Sequence, residues 1–206
     1  SHLPLLKIES VKYDHLNFEE FKGIIFTSSN AIKNLNTKFI DKKILCFCVG
    51  TFTERTARAF GFQNVYAADG NVENLKELIL SNFKKNFGAL LYVSGEIISY
   101  NIDKDLIEQG YSVRRLINYK SIPIETFDLK FVDKLKKFAP DVVYIYSLNS
   151  AKNFLKIIKN YDLMDCWMDT NLMCLGEKTS SELNEIKWKK IFLFNPGEEE
   201  FLLYKI

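Results

Sequence analysis

The chain is poor in the residues on which several common kinds of site depend. Its 206 residues include two histidines, His2 and His15, and nine glycines, and none of its four cysteines belongs to a CxxC pair. Zinc sites usually need several such ligands close together. No GxGxxG or GxxxxGK[ST] segment follows a predicted strand, which disfavours a nucleotide-dependent enzyme. We therefore expect no metal and no cofactor.

Neither sign of charge is in excess, and no apolar run is long. The chain has 28 basic and 26 acidic residues and a formal net charge of +2, whereas nucleic-acid binding normally needs a concentrated basic face. No apolar stretch approaches the roughly 18 residues of a membrane-spanning helix, and no signal peptide is visible. Cys46 and Cys48 alternate on one face of a predicted strand, which is typical of reduced thiols in a core. These features favour a cytoplasmic protein without nucleic-acid or membrane partners.

Apolar and aromatic residues, by contrast, are plentiful. Hydrophobic residues make up 47% of the chain, with 17 Phe and 10 Tyr, which is enough for real cores. The sequence predicts strands at 23–27, 43–49, 64–67, 89–95, 142–147, 172–175 and 190–194, and helices near 29–36, 51–60, 71–84, 102–109, 127–138, 149–160, 177–185 and from about 197. Asn71 is the predicted N-cap of one helix, and Gly110 is predicted to close another. Almost continuously apolar strands that alternate with helices predict an α/β protein with flavodoxin-like, doubly wound domains and mainly parallel sheets.

Two patterns occur twice in the chain. Residues 23–35 (GIIFTSSNAIKNL) and 143–155 (VYIYSLNSAKNFL) each give an apolar strand, a hydroxyl residue, a short polar turn and a helix. Residues 44–61 and 172–186 each give a strand, a glycine, two further residues, a threonine and a helix. Two related units predict two domains facing each other, with a cleft in which the strand-to-helix turns of both could reach one ligand.

Seven segments resemble those of the uroporphyrinogen-III synthase family, in consistent order over nearly the whole chain. They are FTSSNA (26–31), VGTFTERTA (49–57), ADG (68–70), YVSGE (92–96), YKSIP (119–123), YSLNSA (146–151) and LGEKTSSEL (175–183). The ordered set carries the resemblance, since none of the segments is specific by itself. It implies two α/β domains joined by a two-stranded β-ladder.

The resemblance also implies the limits of these domains. Residues 1–10 would form a ladder strand and a remnant of the first domain, 11–114 the inserted domain, 115–124 the returning ladder strand and 125–206 the returning domain. The family normally begins with a strand, a turn and a helix that carry a Thr-Arg motif, and no counterpart precedes the first ladder strand here. We therefore expect the returning domain to lack its N-terminal strand and helix.

The activity that the resemblance implies is that of a hydro-lyase without a cofactor. Its substrate would be hydroxymethylbilane, a linear tetrapyrrole with acetate and propionate on every ring. Ring closure with loss of water and inversion of ring D would give uroporphyrinogen III. The protein would act as a monomer and make transient contact with hydroxymethylbilane synthase. The alternative is a non-catalytic two-domain module that binds an anion or another small molecule.

A near-neutral protein can hold such a polyanion at helix N-termini, where free N–H groups and the helix dipole favour carboxylates. The repeated turns place such N-termini at the carboxyl ends of strands. The candidate substrate-binding residues are Thr27, Ser28, Ser29, Asn30, Gly50, Thr53, Gly95, Ser147, Asn149, Gly176, Lys178 and Thr179. At each turn the alternative is an ordinary N-cap or ordinary chain geometry.

Tyr119 is the candidate catalytic residue. It matches the family tyrosine proposed to assist loss of the substrate hydroxyl. The alternative is a tyrosine that packs on an amphipathic strand with its hydroxyl in water. Leu148 departs from the family, which more often has a serine at this position. An essential role of side-chain hydroxyls in the site is therefore less strongly supported in the second half of the chain.

Overall fold

The computed structural model of the chain describes residues 5–69 and 71–194. It divides into two compact units. The middle unit is Ile8–Ser121, and the flanking unit is formed by the chain up to Lys7 and from Ile122 onward. The chain therefore passes between the units twice, at residues 7–8 and at residues 121–122.

A six-stranded sheet forms the centre of the middle unit. Its strands, from one edge to the other, are β1 (Leu6–Ser10), β6 (Val113–Pro123), β5 (Ala89–Gly95), β2 (Phe21–Phe26), β3 (Leu45–Val49) and β4 (Asn64–Ala68). Strands β2, β3, β4, β5 and β6 all run parallel to one another. Strand β1 is antiparallel to β6, because Val11 N–H donates to Asn118 O and Ile124 N–H donates to Leu5 O. The helices are α1 (Ser29–Lys33), α2 (Gly50–Ala59), α3 (Val72–Asn82) and α4 (Ile102–Glu108).

The central strands of this sheet are buried on both faces. Phe26, Cys46 and Cys48 belong to one apolar cluster, whereas Ile25 and Phe47 belong to another. Because successive residues of a strand enter opposite cores, these strands have almost continuously apolar sequences. The predicted α/β class with a mainly parallel sheet is confirmed. Cys46 and Cys48 are free, buried thiols, as predicted.

The described part of the flanking unit has a three-stranded parallel sheet. Its order is β7 (Val142–Ile145), β8 (Asn171–Leu175) and β9 (Lys190–Phe194), and its helices are α5 (Leu129–Lys137), α6 (Leu148–Asn160) and α7 (Glu177–Ser181). The apolar face of α6 packs on the central strand, since Phe154 and Ile158 share a buried cluster with Leu172 and Trp167. The predicted helix from about 197 lies outside the described residues.

Some elements end where the sequence did not predict. The helix predicted at 177–185 ends at Ser181, where the hydroxyls of Ser180 and Ser181 donate to Glu177 O at 3.0 and 2.9 Å. Such side-chain bonds compete with the helical ladder. Strand β7 ends at Ile145, because Ser147 caps α6 instead of continuing the strand. Four short 3-10 helices were not predicted: Phe18–Glu20, Thr37–Phe39, Lys85–Phe87 and Met164–Trp167.

Two predicted helix ends are confirmed. Asn71 caps α3, and its side-chain oxygen accepts from the N–H groups of Glu73 and Asn74 at 2.9 and 3.1 Å. Gly110 follows α4 with φ 87°, the left-handed conformation that glycine adopts without strain. Within the described ranges, no helix has the length and apolar character needed to cross a membrane.

Candidate functional site

The candidate residues of the middle unit lie at the carboxyl edge of its sheet. Strands β5, β2 and β3 are adjacent and parallel, so their carboxyl ends meet at this edge. Residues 27–30 follow β2, Gly50 follows β3, and Gly95 ends β5. Thr53 lies in the first turn of α2. Open α/β sheets bind ligands at such an edge.

The candidates of the flanking unit have the same placement in its own sheet. Strands β7 and β8 are parallel neighbours, with Ile145 opposite Cys174. Ser147 and Asn149 come after β7, and residues 176–179 come after β8. Asn149 and Lys178 are exposed, so both side chains can reach a ligand in solution.

Serine hydroxyls cap the helices that follow β2 and β7. Ser28 Oγ accepts from Asn30 N–H at 3.2 Å, and Ser147 Oγ accepts from Ser150 N–H at 3.1 Å. The hydroxyls of Ser147 and Ser150 are also 2.9 Å apart. The ordinary capping role is therefore present at both turns, and each serine fixes the first N–H groups of its helix.

The two glycine turns have no side-chain cap. Gly50 begins α2 with φ 75°, and Gly176 precedes α7 with φ 77°; neither helix receives a capping hydrogen bond from a side chain. A Cβ at either glycine would meet no atom within 4 Å. Glycine is needed here for the left-handed backbone and not for lack of space. The space above both turns is open to a ligand.

The remaining hydroxyl candidates are mostly buried. Thr53 is 6% exposed, Thr179 4% and Ser29 9%, which is typical of residues that pack a helix against its sheet. Thr27 is half-buried, and its Oγ1 lies 3.2 Å from the hydroxyl of Tyr92. Among these candidates Thr27 is the hydroxyl residue with the most access to solvent.

Tyr119 packs directly against Gly95. The two residues are opposite each other in β6 and β5, and Glu96 N–H donates to Tyr119 O at 2.9 Å. A Cβ on Gly95 would lie 2.8 Å from Cζ of Tyr119 and 3.1 Å from its hydroxyl oxygen. No side chain other than hydrogen fits there without moving the ring. The structure thus joins two candidates that were predicted separately.

An arginine that was not predicted binds the same segment. Arg115 Nε donates to Ser94 Oγ at 2.8 Å, and its Nη2 donates to Gly95 O at 2.9 Å and to Glu96 O at 3.1 Å. Arg115 is half-buried. Its guanidinium therefore places a fixed positive charge at the carboxyl edge of this sheet.

Tyr92 is a second residue that sequence patterns did not single out. It is 1% exposed, and burial raises its pKa; Asp103 and Tyr119 add to the rise, while the hydrogen bond with Thr27 and the charge of Arg115 oppose it. Tyr92 therefore stays protonated at neutral pH and keeps a proton to donate to Thr27. The alternation of Tyr92 and Ser94 in YVSG is the sequence signal that places both on one face of β5.

The cysteines are unsuited to nucleophilic or metal chemistry. Burial is the main reason that the pKa of Cys48 and that of Cys174 rise to about 12. Both thiols stay protonated near neutral pH, whereas the thiolate is the nucleophile and the metal ligand. In residues 5–69 and 71–194, no three His, Cys, Asp or Glu side chains are grouped so that they could hold a metal ion.

A depression of about 760 Å³ occurs elsewhere on the middle unit. Phe21, Leu45 and Asn64, the first residues of β2, β3 and β4, are among the residues that line it. None of its lining residues is a candidate site residue. The depression and the candidate residues of the middle unit therefore lie at opposite edges of one sheet.

These features define an α/β protein whose parallel sheets carry open helix N-terminal turns at their carboxyl edges. Two solved structures share its fold. Uroporphyrinogen-III synthetase from Helicobacter pylori has a TM-score of 0.68 and 19% identity, with 99% of this chain and 92% of that chain covered. A mutant uroporphyrinogen III synthase from Thermus thermophilus has a TM-score of 0.56 and 14% identity, with 98% and 86% covered.

Sequence comparison then gives the family. A family model described as "Uroporphyrinogen-III synthase HemD" matches residues 1–193. Uroporphyrinogen-III synthase of Saccharomyces cerevisiae is 28% identical over 167 residues, which are 69% of this chain and 61% of that relative. The chain belongs to the uroporphyrinogen-III synthase family. It spans less than two thirds of the length of the yeast relative, 61%.

Proposed function

We propose that this chain is a hydro-lyase that converts hydroxymethylbilane into uroporphyrinogen III, with loss of water and inversion of ring D. The observation that carries the proposal is the family match over residues 1–193. The open turns at the carboxyl edges support it, because the substrate carries carboxylates on every ring and backbone N–H groups at helix N-termini bind anions.

The backbone supplies most of the substrate contacts. In the middle unit the first N–H groups of α2, after Gly50, are not capped by a side chain and can donate charge-assisted hydrogen bonds to a carboxylate. In the flanking unit Gly176 has the same geometry, and Lys178 adds an exposed positive charge. Ser28 and Ser147 contribute indirectly, because their hydroxyls already hold the first turns of their helices.

The other candidate residues have supporting parts in this proposal. Thr27 and Asn149 offer a hydroxyl and an amide that are not fully buried. Ser29, Thr53 and Thr179 are buried and shape the turns from the side of the core, whereas the half-buried Asn30 can also offer its side-chain amide. Gly95 leaves room for the Tyr119 ring.

Tyr119 donates the proton that the departing hydroxyl needs. Its hydroxyl lies beside Gly95, at the carboxyl end of β5, and a positioned acid of this kind contributes on the order of 10² to 10⁴ in rate. The protonated hydroxyl leaves as water, which gives an azafulvene cation. The ring D pyrrole then attacks this cation through its substituted α-carbon, and its electron pair forms the carbon–carbon bond of a spirocyclic pyrrolenine. Much of the remaining rate comes from holding one reactive conformer of the substrate.

We propose further that the two units are the two flavodoxin-like domains of the family, and that β1 and β6 are the strands of its ladder. The limits remain those predicted, with 11–114 inserted and 125–206 returning. The proposal is supported by the two crossings of the chain at residues 7–8 and 121–122 and by the antiparallel pairing of β1 with β6.

The enzyme acts in this proposal as a cytoplasmic monomer. Its substrate closes spontaneously to the type I isomer, so a transient contact with hydroxymethylbilane synthase would shorten the time that the substrate spends free. Sedimentation of the purified protein at increasing concentration tests the monomer, and a mass that doubles with concentration would contradict it.

The test of the function is a coupled assay with isomer analysis. Purified protein receives hydroxymethylbilane from a synthase, the porphyrinogens are oxidised, and the type I and type III isomers are separated. We expect type III in clear excess over a control with heat-denatured protein. If the native protein gives type I alone at the rate of that control, the proposed function is wrong.

A further inference from the structure

We propose that Arg115 is a positioning residue for Tyr119, because it holds the end of β5 in the register that turns Tyr119 toward Gly95. The catalytic part of this inference rests on the proposed function, in which Tyr119 is the proton donor. The structural part rests on hydrogen bonds and strand pairing alone.

The pairing of β5 with β6 changes register just before Gly95. Ser94 is opposite Ile117, but Gly95 is opposite Tyr119 and not opposite Asn118. A shift of one residue turns the side chains that follow to the other face of a sheet. Irregularities of this kind beside active sites commonly re-aim one side chain.

The shift determines the face on which Tyr119 lies. Leu116 and Tyr119 are three positions apart and pack in the same apolar cluster, whereas simple alternation would place them on opposite faces of the strand. On this face the Tyr119 ring covers Gly95. Without the shift, the ring would point away from Gly95.

The guanidinium of Arg115 binds the backbone where the register changes. Its Nε and Nη2 donate to Ser94 Oγ, Gly95 O and Glu96 O at 2.8 to 3.1 Å. Ser94 is 1% exposed, so its hydroxyl is a fixed acceptor. Carbonyl groups at an interrupted ladder need other donors. A planar guanidinium presents its donors on three separate nitrogens in a fixed fork, whereas a lysine ammonium has all its donors on one atom. Arg115 therefore stabilises the irregular segment that Tyr119 covers.

The adjacent residue provides a matched control. Arg114 is on the same strand and carries the same charge, but its side chain is exposed. Arg114→Gln removes one positive charge from β6 without touching the Ser94–Glu96 segment. Arg115→Gln removes one positive charge and the contacts to that segment together.

The kinetic test compares these variants in the isomer assay. We expect Arg115→Gln to lower kcat by on the order of 10- to 100-fold, since a small misplacement of a catalytic group has effects of this size, and to leave KM nearly unchanged. Arg115→Lys should show most of the same loss, and Arg114→Gln should behave as the wild type. A large rise in KM with an unchanged kcat would instead make Arg115 a substrate ligand and overturn the proposal.

A double variant asks whether Arg115 acts through Tyr119. If it does, adding Arg115→Gln to Tyr119→Phe should cause little further loss of kcat, because the group being positioned is already gone. Losses that multiply in the double variant would show two independent roles and would overturn the inference.

Hydrogen exchange of the substrate-free protein provides a readout that does not depend on activity. The Glu96 amide donates to Tyr119 O, so Arg115→Gln should make its exchange at least about tenfold faster, whereas Arg114→Gln should not change it. If Arg115→Gln does not fold, Arg115→Lys takes its place in the exchange experiment, because it keeps the charge and the aliphatic stem. Unchanged exchange refutes the positioning role. If the wild-type protein forms no type III isomer, the proposed function is wrong. The exchange result then still decides whether Arg115 holds the register at the end of β5.

Discussion

Single residues at the end of β5 decide where the Tyr119 hydroxyl lies. Gly95 gives the ring its space, and Arg115 donates hydrogen bonds to the carbonyl oxygens of Gly95 and Glu96. A glycine, an arginine and a tyrosine therefore depend on one another within one short stretch of two strands. A substitution at Gly95 or Arg115 should act mainly on the position of the hydroxyl.

Tyr119→Phe tests the hydroxyl itself. We expect turnover in the isomer assay to fall on the order of 10²-fold or more, because the proton donor is lost. The ring still packs over Gly95, so the free energy of unfolding in urea should change by no more than about 1 kcal/mol. Tyr66→Phe, in β4 with 39% of the residue exposed, is the control and should leave both quantities unchanged. Full activity of Tyr119→Phe would remove this residue from the mechanism.

The residues at the site differ in how far the sequence could predict them. Tyr119 and Gly95 were found through the family resemblance, and the turn residues through local patterns of strand, hydroxyl or glycine, and helix. Arg115 and Tyr92 were missed because their partners are distant in sequence. Ser94 is 21 residues from Arg115, and Thr27 is 65 residues from Tyr92. Such contacts depend on strand order and register, which no local pattern contains.

At the scale of helices and strands, the turns fall into two kinds. Serine caps hold α1 and α6, whereas α2 and α7 begin at glycine turns without a side-chain cap. A capped helix end has one acceptor already in place, and an open end leaves its N–H groups to an incoming anion. Substitutions at the open helix ends should therefore cause the largest loss of substrate affinity.

Gly50→Ala should weaken substrate binding at the start of α2. A residue other than glycine at φ 75° costs about 1–2 kcal/mol in stability, and the new methyl group would occupy the open space above the N–H groups. We expect KM for hydroxymethylbilane to rise. Gly61→Ala is the matched control, since Gly61 also has positive φ, 93°, and lies just past the other end of α2. It should lose similar stability and keep its KM; an equal rise in KM in both variants would contradict a binding role for Gly50.

The order of the elements was predictable, but several of their ends were not. Strand β3 was clear because apolar residues at 45–49 enter both cores. The early end of α7 depends on Ser180 and Ser181 hydroxyls that turn back to Glu177 O, and serine alone does not indicate which acceptor it will choose. The 3-10 helices have three or four residues each, which is too short for a hydrophobic period to appear.

At the scale of the whole molecule, each unit has its own core and its own buried thiols. Cys46 and Cys48 lie in the middle unit, and Cys174 lies in the core of the flanking unit. Both tryptophans, Trp167 and Trp188, pack in the flanking core as well. Tryptophan fluorescence therefore reports on the unfolding of the flanking unit.

The stability of the flanking unit should decline in alkali, and Cys174 should be one cause. Burial raises the pKa of Cys174 from 9.0 to about 12, so the folded state keeps a proton that the unfolded state releases. The stability linked to this proton is complete below pH 9 and is lost as the pH rises from 9 toward 12. The slope for one proton is about 1.4 kcal/mol per pH unit.

Cys174→Ala should remove that part of the slope. Urea unfolding followed by tryptophan fluorescence between pH 9 and 10.5 is the measurement, and the same comparison between pH 6 and 8 is the control, where both proteins should have equal slopes. An unaltered alkaline slope in Cys174→Ala would show that this thiol already titrates freely in the folded protein.

The division of the chain also bears on the order in which it can fold. The middle unit is one uninterrupted stretch, Ile8–Ser121, whereas the flanking unit is assembled from segments on both sides of it. During synthesis a ribosome makes every residue of the middle unit before it makes β7, β8 or β9. Since domains commonly fold as units while the chain is still growing, the middle unit can complete its core before β7, β8 and β9 have formed their sheet.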